Sequence, residues 1–103
     1  MTMPVAIFMA LVALAATPHH HARLAPSSFE PLQVRGTGFR AYERVRVTVT
    51  PSAGEAILHR VRATHRGGFV VSFAGVQACG GIEGVATGSR GSHASFQSSS
   101  LTC

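Results

Sequence analysis

The sequence predicts an all-β domain: a sandwich or small barrel of about six to seven short antiparallel strands. Three observations predict it. From Phe29 onward apolar residues recur with a period of two, most cleanly at Arg44–Thr50, where Val45, Val47 and Val49 alternate with Arg44, Arg46, Thr48 and Thr50. Glycine-, proline- and serine-rich turns interrupt the chain about every ten residues. No window carries a helical period, and β-branched residues occupy both faces of the clearest segment, which suits a pleated strand better than a helix.

The chain has 103 residues, enough for one domain. It opens on an apolar run from Pro4 to Ala16 that is too short to span a bilayer comfortably but matches the apolar region of a signal peptide. The small residues Ala13–Ala16 suit a peptidase, with cleavage expected after Ala15 or Ala16 and Ala22 as the alternative. No Lys or Arg precedes the run, which leaves an uncleaved anchor or a core helix as the competing reading. The expected organisation is a signal-peptide helix over 1–16, a flexible His/Pro/Ser linker over 17–28 and a β domain over 29–103. His19, His20 and His21 fall in the linker; Pro18 has no amide proton to lose, which argues against a square-planar copper or nickel site there.

Within the domain, Leu32–Gly36 alternates and ends on glycine. Arg44–Thr50 follows and stops at the turn Pro51–Gly54. Glu55–His65 alternates again, setting Ile57, His59, Val61 and Ala63 against Leu58, Arg60, Arg62 and Thr64. After the turn at Arg66–Gly68 comes a strand with Phe69, Val71 and Phe73 on one face, then a corner from Gly75 to Gly81. Ile82–Thr87 and Ser92–Gln97 flank Gly88–Gly91 as the arms of a hairpin. The expected core is Leu32, Val34, Phe39, Val45, Val47, Val49, Ile57, Val61, Phe69, Val71, Phe73, Ile82, Ala86 and Phe96.

A domain this small buries a thin core, so an additional constraint is expected. Cys79 and Cys103 are the only cysteines, and in an exported chain an even count predicts a disulfide. On the chain-entropy account, closing a loop of roughly 25 residues adds about 3 kcal/mol. Metal ligation and a reactive thiol are the alternatives, but no Cys-x-x-Cys or paired-His spacing supplies a zinc set.

Composition excludes several chemistries. The chain has no Asp, Asn, Lys or Trp, so a Ser-His-Asp triad and a Gly-Lys-Ser/Thr phosphate loop are both ruled out. Gly36–Gly38 lacks the third glycine and the helix of a dinucleotide site. Glu30, Glu43, Glu55 and Glu83 are the only carboxylate side chains, and each reads as a loop or strand-edge residue. His59 falls on the apolar face of its strand, as a core or rim residue does. A hydrolase using His59 or His93 with one of these glutamates stands as the remote alternative. Neither a cofactor nor a metal is expected.

The net charge of +5 comes from nine arginines against four glutamates. Such a balance invites nucleic acid, but the aromatics fall at core positions instead of interleaving with the arginines, and no nucleic-acid partner is expected. Arg44 and Arg46 point away from the core on one strand, and Arg60 and Arg62 do so on another. If those strands are neighbours, four guanidinium groups share a face that would favour anionic envelope polymers, acidic glycans or lipid headgroups.

Residues Gly36, Gly38, Phe39, Glu43 and Val45, then Gly67, Phe69, Cys79, Ala86–Ser92 and Cys103, carry a resemblance. Over roughly residues 31–103 the chain resembles the small immunoglobulin-like β-sandwich domains of actinobacterial exported proteins. That resemblance implies a structural or binding module of the cell envelope or extracellular space. The missing motifs add the expectation of no catalysis, the short apolar run that of no stable membrane span after signal cleavage, and another protein is the alternative partner. One departure stands out: the family's usual Pro-Gly before the glutamate is here Ala41-Tyr42, so a turn of another type, or a less stable one, is expected.

Overall fold

The computed structural model describes residues 21–52 and 54–99. They form seven strands: β1 (Arg23–Phe29), β2 (Leu32–Thr37), β3 (Arg44–Pro51), β4 (Ile57–Arg62), β5 (Phe69–Phe73), β6 (Ile82–Gly88) and β7 (His93–Ser98). All pairings are antiparallel. One sheet has the order β1-β2-β5 and the other β4-β3-β6-β7. β5 lies against β4, and β1 against β6 and β7, so the sheets face each other as a sandwich.

The valine alternation sets the interior. Val45, Val47 and Val49 are at most 2% exposed, while Arg44 and Arg46 between them face solvent. Leu32 and Val34 from β2 and Phe69, Val71 and Phe73 from β5 supply the opposing layer, and Ile82 and Ala86 extend the floor along β6. Ile57, Val61 and Phe96 are only half-buried, because β4 and β7 are the edge strands of their sheet. Leu24, Ala63, Ala78 and Ala94 join the core in addition.

The expected signal segment 1–16 and residues 17–20 of the expected linker lie outside the described residues. The rest of the expected linker needs correction. Arg23–Phe29 is a strand, paired with β2 from Arg23 opposite Thr37 to Phe29 opposite Leu32. Pro26 and the two serines made this stretch read as a loop. On an edge strand, however, a proline's missing N–H costs the ladder nothing, and a register shift between Pro26 and Ser28 absorbs the irregularity.

Successive strands alternate in direction, so connections after β2, β4 and β6 gather at one end of the sandwich, hereafter the hairpin end. Connections after β1, β3 and β5 gather at the opposite, corner end. Interlocked contacts hold the hairpin end together. Phe39 packs edge-to-face on Phe69, with ring centroids 5.0 Å apart. The Phe39 amide donates to the Gly67 carbonyl at 3.1 Å. The Phe69 ring lies over Gly36, its cross-strand partner, and a Cβ at Gly36 would overlap it. These contacts account for the spacing of Gly36, Phe39, Gly67 and Phe69.

The Arg40–Glu43 turn is closed by the Glu43 amide donating to the Arg40 carbonyl at 3.1 Å. Tyr42, its third residue, has φ = 58°. Positive φ there is what a type II turn requires and what glycine provides without steric cost. Tyr42 thus takes the position that glycine favours in a type II turn, which leaves the turn less stable than a glycine there would. Tyr42 is 58% exposed, so little burial offsets the strain. Substituting Tyr42→Gly is expected to raise unfolding free energy by about 0.5–1 kcal/mol in urea denaturation; an unchanged or lower midpoint would show that the tyrosine ring supplies compensating contacts.

Candidate functional site

The face built on β3 is arranged by register. β3 pairs with β4 so that Arg44 stands directly opposite Arg62 and Arg46 opposite Arg60. The condition set by the sequence, that the two strands be neighbours, is met, and the four arginines lie on one outer face. β6 flanks β3 on its other side, placing Thr87 beside Arg46, and the Ser89 amide donates to the Arg44 carbonyl at 2.8 Å. Arg44, Arg46, Arg60, Arg62, Thr87 and Ser89 line an open cleft of about 590 Å³.

Like charges directly opposite each other on paired strands oppose folding, by some tenths of a kcal/mol per pair. No carboxylate stands in either arginine row. Glu83, the glutamate on the same face, is at the far end of β6, opposite Thr50 and Gln97. The other exposed glutamates, Glu30 and Glu55, lie in the β1–β2 and β3–β4 connections, also at the corner end. Four exposed arginines outside the expected set sit at the hairpin end: Arg23 at the start of β1, Arg40 after β2, Arg66 after β4 and Arg90 after β6. The domain is thus polarised along its strands, basic at the hairpin end and acidic at the corner end.

The remaining glutamate is internal. Glu43 is 1% exposed, and its carboxylate accepts four hydrogen bonds. They come from the Arg40 amide at 2.9 Å, the Arg90 amide at 2.7 Å, the Ser92 amide at 3.3 Å and the Ser92 hydroxyl at 2.7 Å. A Cβ at Gly88 would overlap this carboxylate, so glycine is what lets the β6–β7 hairpin close over it. Burial pushes the Glu43 pKa up, the Ser92 hydroxyl and the amides of Arg40, Arg90 and Ser92 pull it down, and the outcome lies below the ordinary value of 4.5. With both oxygens committed, Glu43 acts as a structural clasp between the β2–β3 turn and the β6–β7 hairpin.

The two histidines do not converge. His59 stands opposite Val47 and stacks at the rim on Phe73, with ring centroids 4.5 Å apart. His93 stands opposite Thr87 on the outer face of the same sheet. Cys79 is half-buried in the β5–β6 corner, and Cys103 lies outside the described residues. Among the described residues no helix is long and apolar enough to cross a membrane.

No protein-family model matches the chain, and no curated protein is similar to it in sequence. A solved structure is similar in fold: the crystal structure of a tetra-tandem repeat in the extending region of a large adhesion protein, with a TM-score of 0.57 and 16% sequence identity. The match covers 79% of this chain and 24% of that one, so this chain spans about a quarter of the neighbour's length. At that identity the likeness is one of fold.

Glu43→Gln replaces two charged acceptor oxygens with one neutral acceptor and one donor, and is expected to lower unfolding free energy by about 2–3 kcal/mol. Because the folded pKa is depressed, the ionised clasp contributes fully above the unfolded pKa near 4.5 and loses its contribution as pH falls through the folded value. Denaturation at a series of pH values should therefore show stability falling below pH 4.5 in the native chain and a flatter profile in Glu43→Gln; parallel profiles would remove Glu43 from this role.

Proposed function

We propose that the chain is a non-catalytic module of an exported or cell-envelope protein, serving as a spacer or adhesion unit. The observation that carries this reading is the path of the chain. It enters the sandwich at the hairpin end through Arg23 and leaves β7 at the corner end through Ser98, so a pull between the ends runs along the strands. In that direction the ladders of β1 with β2 and of β6 with β7 bear load in shear, with many hydrogen bonds yielding together. The strand order, β1-β2-β5 facing β4-β3-β6-β7, supports the immunoglobulin-like reading. The fold likeness to a repeat from an adhesion protein's extending region supports a spacer role. Export and a Cys79–Cys103 disulfide belong to the same reading.

Single-molecule pulling on the chain from its two ends tests this. One cooperative unfolding step is expected, on the order of 15–20 nm under oxidising conditions. Reductant should lengthen it by about 8 nm, as the segment closed by the disulfide is released. Gradual peeling at low force would contradict the spacer reading, and a step length indifferent to reductant would contradict the disulfide.

A second reading, favoured by the β3–β4 register, is that the arginine face binds anionic envelope polymers or glycans. Retention on a polyanion column should fall steeply with added salt and be largely lost in an Arg44→Ala/Arg46→Ala/Arg60→Ala/Arg62→Ala variant that keeps its β-sheet circular dichroism. Retention that ignores salt, or survives loss of the four arginines, would reject it.

A further inference from the structure

We propose that the arginine cleft on the outer face of β4, β3 and β6 is a two-point seat for tetrahedral oxyanions, phosphate or sulfate, carried on a linear polymer. This rests on the polyanion reading of the same face and names the chemical group and the number of contacts. The register gives two rows, Arg44 with Arg62 and Arg46 with Arg60. Within a row, paired residues have Cα atoms about 4.5–5.5 Å apart, close enough for two guanidinium groups to grip one anion between them. Each guanidinium presents parallel N–H donors. A planar carboxylate directs both oxygens towards one such fork, whereas the oxygens of a tetrahedral group diverge and reach a fork on each strand. A seated anion also relieves the repulsion within its row.

The rows are two residues apart along each strand, which sets successive anions about 7 Å from one another. Hydroxyls from Thr87 and Ser89 line the β6 side of the cleft and add donors. The site then stops. The next row inward brings together Leu58, Thr48 and, on β6, Val85, with no cation among them. Glu83 stands beyond it in the row of Thr50 and Gln97 and repels a longer anionic run. Two anionic groups, not an indefinite track, fit this face.

Calorimetric titration of the full chain at fixed ionic strength tests the proposal. The probes are 1,3-propanediol bisphosphate, the matching bis-sulfate, propyl phosphate and glutarate. At least one of the two bis-oxyanions should bind roughly tenfold or more tighter than propyl phosphate and than glutarate, through its second contact. The ranking of bisphosphate against bis-sulfate then assigns the source as a phosphate or a sulfated polymer. Arg44→Ala/Arg62→Ala and Arg46→Ala/Arg60→Ala should each reduce the preferred bis-oxyanion to the affinity of a single anion. Arg35→Ala, on the other sheet, should leave it unchanged. Equal binding of single and double anions, glutarate binding as tightly as either, or affinity that survives removal of one row would overturn the two-point seat. If polyanion retention nevertheless still depends on the four arginines, the broader reading stands without it; if that dependence is also absent, both fall. A thymidine oligonucleotide binding more tightly than either bis-oxyanion would overturn the assignment in favour of nucleic acid.

Discussion

The buried carboxylate of Glu43 is the constraint on which the hairpin end depends. A carboxylate removed from water is destabilising unless donors replace its hydration, and here three backbone amides and one hydroxyl do so. Those donors come from two connections far apart in sequence, the Arg40–Glu43 turn and the loop containing Arg90 and Ser92. The same turn is tied to the β4–β5 loop by the Ala63 amide donating to the Glu43 carbonyl at 2.8 Å and the Tyr42 amide donating to the Thr64 carbonyl at 3.1 Å. Three loops are thereby joined at Glu43 and its turn, two through the carboxylate and one through the backbone. With them are fixed the ends of β3, β4 and β6 from which the arginine cleft is built.

The two faces of β3 do opposite work. Inward, valine burial drives the sheets together. Outward, the same alternation aligns arginines against arginines, an arrangement that weakens the pairing it decorates. The buried valines of β3 and the bond from the Ala63 amide to the Glu43 carbonyl oppose that repulsion between β3 and β4. Stability at the hairpin end and charge concentration on the neighbouring face are therefore linked, and a ligand anion would act on the same balance by neutralising one side of it.

Much of this was legible from residues alone, because period-two patterning reports directly which side chains share a face. Val45, Val47, Val49, Phe69, Val71 and Phe73 are where the alternation puts them. What the pattern does not carry is pairing, which arises between segments. The arginine face could only be stated conditionally, and β1 was hidden because Pro26 and its serines carry the chemistry of a loop while occupying an edge. Counting seven strands, Arg40, Arg66 and Arg90 all follow even-numbered strands, whereas Glu30 and Glu55 follow odd-numbered ones. Parity alone then separates basic from acidic ends. Glu43 read as a loop-edge residue because nothing local distinguishes a solvated glutamate from one that a distant hairpin will cover.

The most direct measurement of the clasp is amide hydrogen exchange at Arg90 and Ser92. Both lie in a surface connection, where amides ordinarily exchange with solvent quickly. With their protons held by the Glu43 carboxylate, both should exchange as slowly as the mid-strand amide of Val47. Exchange at Arg90 and Ser92 as fast as at the exposed corner residue Gly75 would show that the carboxylate does not close the hairpin, and the account of how this end is built would fail.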